Sequence, residues 1–155
     1  MLTYRVEKAS DAKKACDVLI ESINTICAPF YNHDKDTISE WLENKTPDNV
    51  KKWIESENTY CVVAEDAENN LVGFSCISGE EIMLLYVTQK VLYKGVGKNM
   101  LAKLESHARL SGINDVKAVS SLSAKDFYER NGYVQNGDPK YVGQILGDFP
   151  LIKNT

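Results

Sequence analysis

The chain is predicted to fold as an α+β domain with a mixed, mostly antiparallel central sheet flanked by helices. Three observations carry this. Apolar residues recur at helical spacing from Ala12 to Ile26, apolar runs separated by turn residues follow from Thr59 to Val87, and a strand, glycine turn, helix and strand then run in series to Val119. The last series reads as a βαβ unit, with parallel strands joined by a right-handed crossover.

Thr3 to Glu7 alternates and starts a strand. Ser10 and Asp11 are placed to cap the helix that carries Ala12, Ala15, Cys16, Leu19, Ile23 and Ile26, and Pro29 lies just beyond its end. Phe30 to Asp34 is an aromatic and polar loop; Thr37 and Glu40 form a capping-box pair for a short helix through Trp41 and Leu42. Thr46-Pro47-Asp48 opens a further helix that buries Val50, Trp53 and Ile54. Thr59 to Ala64 and Leu71 to Ile77 form a hairpin across the polar turn 65–70. Glu81 to Val87 is continuous in apolar residues after Ile82, which predicts a strand covered on both faces. A helix follows Gly97 and ends at Gly112, Asp115 to Val119 is a strand, and Ser123 to Arg130 is a short helix closed by Asn131-Gly132. Tyr133-Val134, Tyr141 to Ile145 and Phe149 to Ile152 are late extended pieces.

The 155 residues suit one domain, 1–155, with its own core. A net charge of −4 argues against a general nucleic-acid binder, and no apolar run approaches a membrane-spanning length, so neither nucleic acid nor membrane is expected as a partner. Lacking a signal-peptide pattern, the N-terminus leaves the cytoplasm as the expected location. Cys16, Cys27, Cys61 and Cys76 form no C-x-x-C pair and only His33 and His107 accompany them, so no metal site is expected and the four thiols read as small buried hydrophobes.

The most informative stretch is Lys94-Gly95-Val96-Gly97-Lys98, which joins the strand ending at Val87 to a helix. A helix N-terminus offers free N–H groups and the positive end of the dipole, so a glycine turn leading into it suits a phosphate. No Asp or Glu occurs from Ile82 to Leu104, whereas Lys90, Lys94, Lys98 and Lys103 do, against an acidic background. Met100 stands where a dinucleotide fingerprint needs its third glycine, and the P-loop pattern is absent. The reading is a phosphate site of a third kind.

Leu85-Tyr86-Val87 through Leu92-Tyr93-Lys94-Gly95-Val96-Gly97-Lys98 resembles the acetyl-CoA signature of the GNAT N-acetyltransferase superfamily, in its small bacterial type. Ala124 to Tyr133, with the Phe127-Tyr128 pair, looks like that family's later helix-and-turn motif. The region Tyr31 to Trp41, followed by Val50 to Ile54, is similar to a bacterial subgroup with an aromatic loop and a Trp-bearing second helix. Leu92 replaces the usual Arg or Gln, and Gln89 the usual Pro. The resemblance implies acetyl-CoA or CoA as cofactor, held by Tyr93 to Lys98 at its pyrophosphate and by main-chain groups of Leu85, Tyr86 and Val87 along its pantetheine arm. Ser121 is a candidate contact to that arm or a turn residue, and Lys125 a candidate for the outer phosphate or a solvated lysine.

The implied reaction is direct attack of an amine on the thioester in a ternary complex. Tyr128 is the implied acid for the leaving thiolate and the Val87 N–H the implied oxyanion donor. For the base the sequence leaves Glu81, its neighbour Glu80 and His33 open. Tyr31, His33 and Trp41 are candidates for the acceptor pocket, with a core role as the alternative for Trp41. The acceptor is expected to be a small-molecule or peptide amine; a non-catalytic acyl-CoA-binding or sensory module is the rival reading. Oligomeric state is open, a homodimer included.

Overall fold

The computed structural model describes residues 2–155. Its elements in chain order are β1 (Thr3–Val6), α1 (Ala12–Ser22), α2 (Lys35–Leu42), α3 (Pro47–Glu55), β2 (Thr59–Glu65), β3 (Leu71–Ser78), β4 (Glu81–Val87), α4 (Val96–Leu110), β5 (Asp115–Ser121), α5 (Lys125–Arg130), β6 (Val134–Gln135), β7 (Lys140–Val142) and β8 (Ile145–Asn154). The strands form one sheet of eight in the order β1-β2-β3-β4-β5-β8-β6, with β7 also on β8. Every pairing is antiparallel except β4 with β5. The expected α+β class and the parallel β4-α4-β5 unit are therefore present.

Two apolar layers cover the sheet. α4 lays Met100, Leu101, Leu104 and Ala108 on one face, against Val62, Val72, Val116 and Leu151. α1 and α3 lay Ala15, Cys16, Leu19 and Val50 on the other, against Val63, Phe74 and Cys76. The strand closed on both faces is β3, buried from Leu71 to Ile77, not β4 as its composition predicted. In β4 Met83 is exposed and Leu84 to Val87 are half-buried, because β4 borders an opening described below.

Three local expectations change. The cap of α2 is Asp34, whose carboxylate accepts from the Thr37 N–H at 2.9 Å and the Thr37 hydroxyl at 2.6 Å, so the helix starts before the Thr37/Glu40 pair. The Asp11 side chain does not cap α1; it binds Arg5 at 2.8 Å and the Lys8 N–H at 2.9 Å. At the C-terminal end the chain reverses at Gly143-Gln144, so β7 stops at Val142 and β8 runs unbroken through Phe149.

Cys16 and Cys27 are free and buried as expected, but Cys61 and Cys76 are joined as a disulfide. The cause is register: the two are direct partners across β2–β3, a spacing that sequence distance conceals. The Glu7 carboxylate lies with these two sulfurs in a group whose donor atoms are all within 4.8 Å of one another. Both Glu7 oxygens are buried with no hydrogen-bond partner among the described residues. Burial, aided by the Asp11 charge and opposed by Arg5, pushes this carboxyl from its ordinary 4.5 up to about 8. The folded chain thus holds a proton that the unfolded chain releases above about 4.5. The stabilisation is whole below that pH and is lost as pH rises through about 8. Stability should fall by about 1.4 kcal/mol per pH unit across that window. Urea unfolding from pH 5 to 8 checks this; Glu7→Gln should flatten the slope, and an unchanged slope in the variant would assign it elsewhere.

Candidate functional site

β4 and β5 pair only at Glu81 with Lys117 and Ile82 with Ala118. Beyond that point the strands part, and Met83 to Val87 faces Val119 to Ser121 across a cleft of about 750 Å³. The Thr88 N–H bonds the Val72 carbonyl on the β3 side at 2.9 Å. Strand alternation then turns the N–H groups of Val87 and Leu85 the other way, into the opening. An extended ligand can pair there as an added strand.

The cleft continues to the N-terminus of α4. Gly95 caps this helix in the left-handed conformation, φ 84°, where a side chain is disfavoured. The N–H groups of Val96, Gly97 and Lys98 have no carbonyl one turn earlier to bond; the first that does is that of Asn99, to the Gly95 oxygen at 3.0 Å. No side chain caps them. Three open donors and the positive dipole end converge on one wall, with the Lys98 side chain beside them. Arg130 at the end of α5 adds a second cation, which the Leu92 position lacks.

Of the residues expected to hold cofactor, Leu85, Tyr86, Val87, Leu92, Tyr93, Gly95, Val96, Gly97, Lys98 and Ser121 line this cleft. Lys94 and Lys125 do not. Lys94 is exposed, and Lys125 pairs with Glu129 at 3.2 Å and lies over the Phe149 ring. The Ser121 hydroxyl shares a 2.8 Å hydrogen bond with Ser123.

Tyr128 lines the cleft from α5. It is 6% exposed, edge-on to Phe127 and Tyr133, and its hydroxyl has no hydrogen-bond partner among the described residues. Burial, followed by the Tyr86 charge, pushes the phenol well above its usual range and keeps it protonated. The other end of the cleft is built by the turn that follows α1. Over Ile23–Cys27 the helix widens to a π-helical turn, and Thr25, Ile26 and Cys27 reach the wall. Phe30, Trp41, Tyr86 and Asp148 complete it, and the Trp41 indole N–H donates to the Tyr86 hydroxyl at 3.3 Å.

Four residues expected as base or acceptor contact lie elsewhere. Glu81 is exposed at the paired end of β4, outside the cleft. Its neighbour Glu80 is engaged by Lys117 at 3.0 Å. His33, at φ 53°, borders a separate shallow hollow with Asn24, Lys35 and Ile38. Tyr31 is buried behind the wall: its hydroxyl donates to the Gly147 carbonyl at 2.9 Å and accepts from the Leu122 N–H at 2.8 Å, pinning the turn after α1 to β8. Sequence reading missed Cys27, Phe30, Arg130 and Asp148. Of these Arg130 lay within a recognised motif and Phe30 at the start of the aromatic loop, whereas Cys27 and Asp148 belong to segments with no signature.

The family model described as an acetyltransferase (GNAT) domain matches residues 27–147, from the turn after α1 to β8. The chain belongs to the GNAT acetyltransferase family. On that membership it is an acetyl-CoA-dependent N-acetyltransferase, and the open N–H groups and splayed strands suit the cofactor's phosphates and arm. Among solved structures, the GNAT fold is matched by the paia N-acetyltransferase of Thermoplasma acidophilum in complex with coenzyme A, at TM-score 0.84 and 21% identity over 100% of this chain and 99% of that one. A GCN5-related N-acetyltransferase from Rhodopseudomonas palustris matches at TM-score 0.82 and 18% identity, over 99% and 95%. An aminoglycoside 6'-acetyltransferase type Ii matches at 0.73 and 18%, over 98% and 96%. At these identities the likeness concerns fold. No curated protein matches the chain. No helix among the described residues is long and apolar enough to cross a membrane.

Proposed function

We propose that this GNAT domain moves the acetyl group of acetyl-CoA to a primary amine, on a small molecule or a protein, by direct attack in a ternary complex, with Tyr128 as the acid. The observation that carries the reading is the Tyr128 hydroxyl: it lines the cleft, is held protonated, and has no hydrogen-bond partner among the described residues. Bound acetyl-CoA supplies an activated acyl group on a thiol leaving group. The N–H groups of Val96, Gly97 and Lys98 bind its diphosphate, with Lys98 and Arg130 screening the charge. Leu85 and Val87 orient the arm through main-chain bonds, and the Val87 N–H offers a donor to the carbonyl oxygen.

The acceptor's ammonium first loses one proton to water; the free amine attacks, and the second proton that its nitrogen sheds as the C–N bond forms and the C–S bond breaks also passes to water, from which Tyr128 is reprotonated. Tyr128 gives its proton to the departing sulfur. A phenol near pKa 10 is a weak acid for a thiolate of conjugate pKa about 8.5. Burial raises the Tyr128 phenol and the conjugate acid of the thiolate in the same direction, so the transfer depends on where the hydroxyl stands against the departing sulfur. Neither Glu81 nor His33 reaches this cleft, so neither is assigned the proton of the amine.

Thiol release from acetyl-CoA across a panel of primary amines tests the reading. Turnover with at least one is expected. Cofactor binding with no release on any amine would contradict it and favour a non-catalytic acyl-CoA-binding module.

A further inference from the structure

Four charged side chains line the cleft: Lys98, Asp126, Arg130 and Asp148. The first three stand on α4 and α5, at the phosphate end. Asp148 alone comes from β8, where it is the register partner of Ser121 beyond the point at which β4 and β5 separate. It is half-buried, and its carboxylate forms no hydrogen bond or ion pair among the described residues. Lys140, its register partner on β7, is not within ion-pair distance. The surrounding wall is aromatic, from Trp41, Tyr86 and Phe30, with the Cys27 thiol alongside.

We propose that Asp148 is the recognition site for the acceptor's ammonium group, and that the acceptor is a primary ammonium carried on an apolar or aromatic body. A carboxylate without a partner, taken partly out of water, is unfavourable alone and favourable beside a cation. Burial pushes the Asp148 carboxyl above its ordinary range, with Lys140 opposing. Tyr86 lines the same cleft as Asp148, and the Tyr31 hydroxyl donates at 2.9 Å to the carbonyl of Gly147, the residue before Asp148. Burial keeps those phenols and the Cys27 thiol neutral near pH 7, so Asp148 is the anion that this wall, among the described residues, offers to an incoming cation. Trp41 and Phe30 line the same wall and add aromatic surface suited to a cation and its carbon skeleton. The arrangement selects amines over neutral alcohols of the same shape.

This inference rests on the acetyl-transfer reading, and its test does not need turnover. CoA-loaded protein is titrated at pH 7 with benzylammonium and with benzyl alcohol. Wild type should prefer the ammonium, and Asp148→Asn should weaken it by about tenfold to a hundredfold. Benzyl alcohol binding and CoA affinity should stay as they are, and Asp148→Glu should recover part of the preference. Equal binding of the two probes by wild type, or an equal loss of both in Asp148→Asn, overturns the proposal. Wild-type discrimination decides the question even where the asparagine variant fails to fold. Failure of wild type to bind CoA would instead strike at the acetyl-transfer reading.

Discussion

Replacing Tyr128 by phenylalanine is expected to lower kcat by about 10²- to 10⁴-fold with CoA affinity unchanged. The substitution is clean because the ring and the hydroxyl do separate things. The ring packs edge-on to Phe127 at 5.4 Å and Tyr133 at 5.2 Å, and phenylalanine keeps both contacts. Tyr128 lines the cleft and its hydroxyl bonds to no other described residue, so its loss leaves no protein donor or acceptor unpaired. A purely structural tyrosine would show the reverse pattern: lower melting temperature, intact turnover per folded molecule. Steady-state kinetics with the best amine of the panel, alongside calorimetry with CoA, separates the two. Undiminished kcat would remove Tyr128 as the acid.

Gly97→Val is expected to weaken CoA binding by at least about tenfold, and two causes converge. A side chain in the first turn of α4 obstructs approach of a ligand to the N–H groups there. A Cβ at position 97 would also stand 3.2 and 3.3 Å from the Phe127 ring, closer than a Cβ normally packs. Valine adds two further carbons, so α4 or α5 must shift. The ring sits on the helix that carries Tyr128, so the same shift disturbs the acid. Pairing Gly97→Ala with Phe127→Leu separates the causes. If crowding against Phe127 dominates, the double variant recovers affinity; if ligand approach dominates, it does not. Unchanged CoA affinity in Gly97→Val would refute the placement of the diphosphate.

The βαβ unit was legible in the sequence because its parts are contiguous: strand, Gly95-Val96-Gly97 turn and amphipathic helix follow one another, and local rules decide each. The Phe127-Tyr128 pair was legible for the same reason. The base was not. Glu81 was read from belonging to the strand that ends at the cofactor, yet at about 3.3 Å per residue it lies about 20 Å along β4 from Val87. Which end of β4 stays paired and which splays depends on the register with β5, some 35 residues on, about which a periodicity says nothing. His33 and Tyr31 were read from an aromatic loop. Folding turns the first outward and locks the second between Gly147 and Leu122. Asp148 follows a glycine in a stretch without a motif, and only the antiparallel return of β8 onto β5 brings it to the cleft.

The Cys61–Cys76 disulfide and the orphaned Glu7 carboxylate share this origin. Both arise where β2, β3 and the end of β1 meet, so they depend on pairing between segments rather than on any local pattern.

Everything assigned to the cleft depends on main-chain donors at the start of α4 taking the diphosphate of CoA. Calorimetric titration of the folded wild-type chain with CoA tests that most directly. The account predicts saturable one-to-one binding that Gly97→Val weakens and Tyr128→Phe does not. A folded wild-type sample that takes up no CoA would contradict it.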